Sequence, residues 1–482
     1  MHSRFNSWRG SLVGIVATLV VMFANCDSSA ESPLELRIDF SKTNGTLRAL
    51  HGINRGPRVA GGFVDLTNEH RALGIPFTRL HDSQWPGGDV VDIHAVFRDF
   101  ARDPEKAESY DFLRTDEYID SIRRTGAQMV YRLGESIEHE TIKKHVHPPR
   151  DLEKWARICL GVIRHYNEGW ANGTRHGIRY WEIWNEPENR PVMWSGTDED
   201  YFRLYRVTSR AIQKEFPQLK IGGPGVGHSG QFVKGEFRAS EFVTNFLALC
   251  RRESLPLDFF SWHCYTDDPA ELVQRARAIR QLLDRHGFTS TESHLNEWNF
   301  LPGNTWKPIG KSSGTPESRQ KFYEEMAGPA GAAFTAAALI QLQDAPLDMA
   351  NFFHGANGPF GLFNEHGVRQ KNYFAMLAFN NLLRTPRRVT VTAPAKQLTV
   401  AAGMNAENTE ASVLISNPAL APALLRVVSS NLPWSGDARV TVRVVDDTHS
   451  FAELPGVTVR DGVLEFSLRR SSVALVTWRK TP

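Results

Sequence analysis

Apolar residues follow two alternating patterns along the chain. Between about residues 47 and 385, short apolar runs alternate with longer stretches whose apolar residues recur every three or four positions. The clearest such stretch predicts a helix over Asp198–Phe216, capped by Thr197 and ended by Pro217. The short runs predict eight β-strands: Leu47–Ile53, Phe77–His81, Gln128–Leu133, Ile178–Trp184, Lys220–Gly223, Phe259–His263, His294–Trp298 and Asp348–Phe353.

Eight strands that alternate with helices are typical of a (β/α)8 barrel, which we expect to occupy residues 46–385. A doubly wound sheet is the alternative, but it usually has fewer strands and a glycine-rich first turn. The first turn, His51–Pro57, lacks that glycine spacing. The glycines of Gly222–Gly227 are not followed by Lys-Ser/Thr, so they predict a tight strand-to-helix turn and not a phosphate loop.

The composition changes after about Thr385 to short β-rich runs separated by turn signals, which predicts a β-sandwich over residues 386–482. Near the other terminus, Leu34–Phe40 alternates strictly between apolar and polar residues. We expect this strand, within residues 31–45, to join the sandwich, because a lone strand needs a partner for its backbone hydrogen bonds. The predicted fold is therefore a TIM barrel with an accessory C-terminal β-sandwich.

Residues 1–30 have the features of a secretory signal peptide. Arg4 and Arg9 precede an apolar run, Leu12–Phe23, and small residues follow it up to a plausible cleavage point after Ala30. The run is too short for a comfortable membrane span. We therefore expect a secreted or periplasmic protein, with lipid attachment at Cys26 as the less favoured alternative.

Composition excludes several classes of function. The 482 residues carry a net charge of +2, which indicates neither nucleic acid nor a membrane surface as a partner, and nothing in them sets an oligomeric state. Beyond the signal, Cys159, Cys250 and Cys264 are too few and too dispersed for a disulfide framework or a metal site. The 12 Trp residues are compatible with a carbohydrate ligand, because aromatic rings stack on the apolar faces of sugars.

Candidate chemistry lies where predicted strands end. Asn185 and Glu186 end the fourth strand, and Glu297 ends the seventh. The carboxyl ends of barrel strands converge on one face, so these side chains are expected to meet. Trp184 and Trp194 are close to Glu186 in sequence, and indole rings around a carboxyl would raise its pKa and make it a general acid. One protonated and one ionised carboxyl are what cleavage of a glycosidic bond requires.

Several motifs resemble those of glycoside hydrolase family 39, which contains β-xylosidases and α-L-iduronidases within clan A of the barrel glycosidases. The resemblance covers most of the chain after the signal and rests on these segments: Phe77–His81, Trp184–Pro187, Tyr201–Tyr205, Ile221–Pro224, Ser261–Tyr265, Asn296–Asn299 and Val444–His449. Asn-Glu-Pro alone identifies only the clan, whereas the combination favours the family. The resemblance implies that Glu186 is the acid/base and Glu297 the nucleophile of a retaining double displacement.

The resemblance also implies a set of substrate-binding residues: Asn185, His263, Tyr265, Arg79, His81 and Trp298. Asn185 would bond the sugar 2-hydroxyl, and His263 and Tyr265 would flank the nucleophile. Arg79 would either lie at the floor or rim of the pocket, as would His81, or pair with a barrel carboxylate behind Glu297. The histidines of segment 139–147 have no carboxylate or thiol at ligand spacing, so a solvated loop is preferred to a metal site.

The sequence thus predicts a secreted retaining glycosidase that needs no metal or organic cofactor. The expected substrate is a terminal β-xyloside or a similar plant or algal glycan. The alternatives are an endo-glycanase, a β-galactosidase, an α-L-iduronidase, or a glycan-binding protein that has lost catalysis. The loop at 300–317 and the loops around Trp85, Trp194 and Trp306 are expected to shape the pocket.

Overall fold

The computed structural model describes residues 33–59, 62–85, 88–392, 398–418, 423–455, 457–460 and 462–481. The predicted signal peptide and Cys26 lie outside these residues. Within them, no helix has the length and apolar character needed to cross a bilayer. Cys159, Cys250 and Cys264 are buried free thiols, as expected for small apolar residues of the core.

Eight parallel strands close into a barrel, which confirms the predicted fold class. In chain order they are Gly52–Asn54, Phe77–Leu80, Gln128–Leu133, Tyr180–Ile183, Lys220–Val226, Phe259–Thr266, Glu292–Phe300 and Met349–Phe352. The barrel closes where the first strand pairs in parallel with the eighth. We call them the first to eighth barrel strands below.

Helices cover the outside of the barrel. Their bounds are Thr67–Leu73, Ile93–Val96, Leu113–Arg123, Leu152–Asn167, Asp198–Glu215, Glu241–Glu253, Pro269–Arg285, Pro316–Ala327, Pro329–Gln341 and Lys371–Leu382, with short 3-10 turns at Ala107–Ser109, Trp170–Asn172, Pro302–Asn304, Lys307–Ile309 and Leu342–Asp344. The predicted helix at 198–216 is confirmed, and Thr197 and Asp200 form a reciprocal capping box at its start.

The first and fifth barrel strands differ from their predicted bounds. The first strand begins only at Gly52, because the preceding Leu47 and Leu50 are buried without strand pairing. Arg48 beside them donates to the carbonyl oxygens of Leu342, Gln343, Ala345 and Leu347. The fifth strand continues through the glycines to Val226, and a hairpin, Gly230–Val233 with Glu236–Ala239, follows it. The predicted tight strand-to-helix turn is therefore absent from this part of the described chain.

The C-terminal domain is one ten-stranded, mostly antiparallel sheet that curls into a sandwich. Its strands lie in the order Ser450–Glu453, Ala438–Val445, Ser472–Lys480, Glu410–Asn417, Thr399–Met404, Arg387–Thr392, Leu34–Thr46, Ala423–Ser430, Val463–Leu468 and Thr458–Arg460. Val444 and Phe466 come from opposite halves of this order yet share one core. Phe40 and Trp478, four strands apart, have ring centroids separated by 5.7 Å. Both contacts require the sheet to fold over on itself.

The strand Leu34–Thr46 lies inside this sheet. It pairs antiparallel with Arg387–Thr392 and parallel with Ala423–Ser430. Its alternation has the expected physical cause, because Leu36, Ile38 and Phe40 are buried in the sandwich core.

Strands at the centre of the sandwich are buried on both faces. In Glu410–Asn417, Val413 and Ile415 point into the sandwich core, whereas Leu414 packs in the core of the barrel. The Ser416 hydroxyl donates to the carbonyl oxygen of Ala333 at 2.7 Å. Ala333 belongs to Pro329–Gln341, a helix in which every residue from Gly331 to Ile340 is buried. The sandwich therefore covers an apolar helix of the barrel.

We expect a chain limited to residues 47–385 to be insoluble or to lose most of its thermal stability. Removing the sandwich exposes the apolar helix, and each large apolar side chain returned to water costs about 1.5–3 kcal/mol. The measurement is the soluble yield and the melting temperature of the truncated chain beside those of the full chain. A soluble barrel with full stability would contradict the prediction.

Candidate active site

The fourth, sixth and seventh barrel strands bring three ionisable side chains together at the carboxyl end of the barrel. Glu186 follows the fourth strand, His263 lies in the sixth, and Glu297 lies in the seventh. One carboxylate oxygen of each Glu and a ring nitrogen of His263 lie within 4.8 Å of one another. The predicted convergence of the two carboxyl groups is thus observed.

The backbone turns sharply where the fourth strand delivers Glu186. Both Trp184 and Glu186 have positive φ values, 69° and 42°, which are unusual for residues with a side chain. The amide of Glu186 donates to the carbonyl oxygen of Gly225 at 3.0 Å. A Cβ atom at Gly227 would lie 2.4 Å from Glu186 Oε1, so any larger residue there would displace this carboxyl group.

The carboxyl of Glu186 is held by polar partners. His263 Nδ1 lies 2.8 Å from Glu186 Oε1, and the Asn189 amide donates to Oε2 at 2.9 Å. Burial raises the pKa of Glu186, but the hydrogen bond and charge of His263 outweigh burial, so the pKa lies below its ordinary value. Burial likewise lowers the pKa of His263, and the charges of Glu297 and Glu186 raise it above its ordinary value. These opposite shifts favour His263 over Glu186 as the holder of the shared proton.

The expectation that indole rings enclose Glu186 and raise its pKa is wrong. Trp184 and Trp194 are fully buried in the core, with their ring centroids 4.8 Å apart. Their Nε1 atoms donate to the carbonyl oxygens of Met193 and Thr197. The ring of Trp184 packs toward Trp155 of the helix Leu152–Asn167, with centroids 6.2 Å apart, so the two indoles do not form the expected wall around Glu186.

Both oxygens of Glu297 accept hydrogen bonds. Arg79 Nη1 donates to Oε1 at 2.8 Å, and the Tyr265 hydroxyl donates to Oε2 at 2.7 Å. Burial and the nearby Glu297 charge raise the pKa of Tyr265 well above its ordinary value, so its phenol keeps its proton and remains a donor. Burial raises the pKa of Glu297 above its ordinary value, and the opposing charges of His263 and Arg79 limit the rise.

Arg79 lies beneath the two carboxyl groups and has no exposed surface. Besides Glu297, its guanidinium donates to Glu182 Oε2 at 2.7 Å, to Asn185 Oδ1 at 2.5 Å and to Asn54 Oδ1 at 3.1 Å. Of the two interpretations of Arg79, the geometry favours pairing with a barrel carboxylate over contact with sugar. Glu182 was not anticipated as that partner.

Asn185 and His81 also approach the reacting groups. The bond from Arg79 to Asn185 Oδ1 orients the amide so that its Nδ2 is available as a donor. His81 Nε2 lies 3.6 Å from Glu297 Oε1. Burial, together with the charges of Arg79 and Arg132, lowers the pKa of His81 well below its ordinary value, so its imidazole is neutral.

Trp298 does not line the site. Its side chain has no exposed surface and packs edge-on against Phe352 in the barrel core, with centroids 5.2 Å apart. The expectation that it contacts substrate is therefore wrong for this arrangement. The side chain of Trp85 lies outside the described part of the structure. Trp306 differs from Trp298, because 43% of its surface is exposed.

Glu188 is a carboxyl beside the site that sequence reasoning missed. Its Oε1 accepts from the amide of His228 in the fifth-strand loop at 2.8 Å, and its Oε2 is buried with no partner among the described residues. Burial and the Glu186 charge raise its pKa to about 7. Its place directly after Asn-Glu-Pro was the available signal.

A second polar cluster follows the second and third strands. His94 Nδ1 bonds the Glu135 carboxylate, and Asp92 accepts from Arg132 at 2.5 Å. Burial lowers the pKa of His94, but Glu135 outweighs burial and raises it to about 9. Asp89, Asp92 and His94 lie close enough to share a cation, as do Glu186, His263 and Glu297. Both oxygens of Asp92 are already occupied by Arg132 and Ser136, so the first group fits a cation poorly.

A loop crosses the mouth of the barrel above these groups. We call residues 301–315, which follow the seventh strand, the mouth loop. Its start is fixed where the Leu301 amide donates to Thr266 O at 2.9 Å. Its far side reaches the loop after the third strand, where Lys311 Nζ donates to His139 O at 3.2 Å. Because the third and seventh strands lie on opposite sides of the eight-stranded barrel, this contact joins loops from opposite sides.

Comparison with known proteins agrees with the barrel and the paired carboxyl groups. The profile "Glycosyl hydrolases family 39" matches residues 65–412. The chain belongs to glycosyl hydrolases family 39. A "Beta-xylosidase" of Geobacillus stearothermophilus is 25% identical over 348 residues, which are 64% of this chain and 62% of that protein. The chain thus matches less than two thirds of the length of this relative.

Solved structures extend the likeness of this family 39 chain to the whole fold. A glucosidase from Croceicoccus marinus superposes with a TM-score of 0.76 at 24% identity, covering 94% of this chain and 100% of the other. A monomeric beta-xylosidase from Caulobacter crescentus superposes with a TM-score of 0.67 at 16% identity, covering 93% and 100%. At these identities the likeness concerns the fold alone.

Proposed function

We propose that this family 39 protein is a retaining glycoside hydrolase that removes terminal β-linked xylose from oligosaccharides, with Glu186 as acid/base and Glu297 as nucleophile. The observation that carries the proposal is the approach of the two carboxyl groups, whose oxygens lie within 4.8 Å together with His263. Retaining glycosidases hold their carboxyl groups about 5–5.5 Å apart, and inverting enzymes about 6.5–9.5 Å apart. Such an approach also argues against the alternative of a barrel that has lost catalysis.

In the first step Glu297 attacks the anomeric carbon while the leaving oxygen takes a proton from Glu186. The proton reaches Glu186 along the 2.8 Å hydrogen bond from His263. The hydrogen bonds from Arg79 and Tyr265 aim the Glu297 carboxylate. In the second step Glu186 takes a proton from water as the water oxygen attacks the anomeric carbon. The bond from that carbon to Glu297 breaks, and the sugar leaves with retained configuration.

Two further features support action on chain ends. The mouth loop crosses the opening and contacts the far side through Lys311. Glu297 is only 5% exposed, which fits a closed-ended pocket better than an open groove.

Asn185 Nδ2 is available to donate to the sugar 2-hydroxyl, a contact that would strengthen in the transition state. Export through the amino-terminal signal sequence belongs to the same proposal, and it rests on the sequence alone.

The sugar is proposed from the curated relatives, which are beta-xylosidases in name. A β-glucoside is the second candidate, because the glucosidase of Croceicoccus marinus aligns over 94% of this chain. The deciding experiment is hydrolysis of aryl β-xylosides, β-glucosides, β-galactosides, α-L-arabinosides and α-L-iduronides, with product stereochemistry followed by NMR. Turnover of the xyloside with retained configuration is expected, and an inverted product would overturn the mechanism.

Glu186→Ala is expected to slow substrates with poor leaving groups by about 10²–10⁴-fold, because the departing alkoxide then lacks its proton donor. Activated aryl glycosides need no proton and should lose much less in the first step. The measurement is kcat/KM across aryl xylosides of graded leaving-group pKa. Equal losses along the series would contradict the role of Glu186 as acid.

The pH dependence of kcat/KM is expected to be bell-shaped. The nucleophile must be ionised, and the raised pKa of Glu297 puts the acid limb above its ordinary value of 4.5. The His263–Glu186 pair must hold one proton, and the raised pKa of His263 puts the alkaline limb above its ordinary value of 6.5. Activity is therefore lost as pH falls through the pKa of Glu297 and as pH rises through the pKa of the His263–Glu186 pair. An alkaline limb below pH 6.5 would refute the assignment of the proton to this pair.

A further inference from the structure

We propose that Trp306 is the binding platform for the sugar ring of the leaving group, so that the site favours oligosaccharides over glycosides of small alcohols. The inference rests on the proposed glycosidase function and names a subsite for it. Among the tryptophans whose side chains are described, Trp306 is the most exposed, with 43% of its surface accessible. It lies in the mouth loop, which follows the strand that carries Glu297.

The indole is held in a fixed position by other aromatic rings. Its centroid lies 5.1 Å from that of Tyr265 in an edge-to-face contact and 6.1 Å from that of Phe360 in a stacked one. Phe322 lies beneath it at 6.5 Å. These three rings pack against the indole while 43% of its surface stays exposed, so the indole has little freedom to turn. A fixed ring binds a ligand at a lower entropic cost than a mobile one.

The mouth loop itself is tied down around Trp306. The amide of Ile309 donates to the carbonyl oxygen of Trp306 at 3.2 Å, and the Ser313 hydroxyl donates to that of Lys307 at 2.8 Å. Lys311 fixes the far side of the loop at His139. The backbone that carries the indole is therefore braced on both sides of the opening.

Tyr265 places Trp306 relative to the reacting carbon. The Tyr265 hydroxyl bonds Glu297 Oε2 at 2.7 Å, and its ring contacts the indole. Trp306 is thus one side chain nearer the mouth than the nucleophile. In a pocket that takes the terminal sugar at its deepest point, the next position toward the mouth belongs to the leaving group.

The chemistry of the indole selects a sugar ring at this position. One face of a pyranose presents C–H bonds, which pack on an aromatic face and remove both surfaces from water. Its hydroxyl groups stay at the edges, in contact with solvent at the mouth. A methyl group in place of the second ring would cover little of the indole and gain little from it.

The test compares a disaccharide of the hydrolysed sugar with the methyl glycoside of the same sugar, because both release an unactivated alcohol and only the first has a second ring. Trp306→Ala is expected to lower the ratio of their kcat/KM values about tenfold, in line with an aromatic contact worth about 1.4 kcal/mol. Trp306→Phe should restore most of the ratio. The matched control is Ile142→Ala, which removes a 77% exposed apolar side chain from the loop after the third strand and should leave the ratio unchanged.

An unchanged ratio of the two kcat/KM values in Trp306→Ala would overturn the proposal. If both values fell equally, the indole would serve only to support Tyr265 and Glu297. A wild-type protein that hydrolyses neither substrate would instead contradict the proposed glycosidase function, so the two failures are distinguished. The inverse change, a greater loss for the methyl glycoside, would place the indole against the terminal sugar and refute a leaving-group subsite.

Discussion

Replacing Glu297 by Ala is expected to abolish turnover, with a loss of at least about 10⁴-fold in kcat for activated aryl glycosides. Without the carboxylate no covalent glycosyl–enzyme can form, and no other described side chain occupies its place between Arg79 and Tyr265. Azide added to the variant should enter the vacated space and attack the anomeric carbon from the nucleophile's side. The expected product is a glycosyl azide of inverted configuration, identified by NMR.

The control for this variant is Glu292→Ala in the same strand. Glu292 lies at the start of the seventh strand, where it contacts His294 and Lys220. This variant should keep the mechanism and show no dependence on azide. Retention of substantial activity in Glu297→Ala, or an azide adduct of retained configuration, would exclude Glu297 as the nucleophile.

Replacing Arg79 by Met is expected to lower the free energy of unfolding by about 3–5 kcal/mol and to reduce kcat/KM severely. The guanidinium pairs with Glu182 and Glu297 in a region without exposed surface, and its removal leaves buried carboxylates uncompensated. The loss of positive charge should also raise the pKa of Glu297 further and move the acid limb of the pH profile upward. Chemical denaturation measures the first effect and the pH dependence of kcat/KM measures the second.

Arg388→Met is the matched control for Arg79→Met. Arg388 makes a bidentate salt bridge with Asp344, but that carboxylate is 58% exposed. Its removal should cost about 1 kcal/mol or less. If Arg79→Met cost no more than the control, the buried network would not contribute to stability as its geometry indicates.

The barrel was predictable because its strands and helices bury apolar residues at regular spacings. The ends of these strands are where Glu186 and Glu297 were expected, and the closure of the barrel brings them together whatever their separation in sequence. Sequence also predicted the cap at Thr197, since side-chain caps depend on residues only three positions apart. These features depend on local pattern or on topology alone.

Features that depend on the direction of single side chains were less predictable. A register shift between Leu295 and Trp298 lets the adjacent Asn296 and Glu297 both face the barrel interior, where they bond Glu182 and Arg79. Trp298 then points to the outer core. The positive φ of Trp184 similarly separates its ring from Glu186, and no residue pattern signals that turn. The partner of Arg79 was missed because Glu182 reads as an ordinary strand residue.

The contact between Lys311 and His139 has a consequence for how a long substrate is consumed. In the proposed closed-ended pocket, the released terminal sugar lies behind the shortened chain and cannot leave before it. The polymer must then dissociate after every cut, so the protein should work distributively. A digest stopped early would contain many chains each shortened by one unit, and few shortened by several.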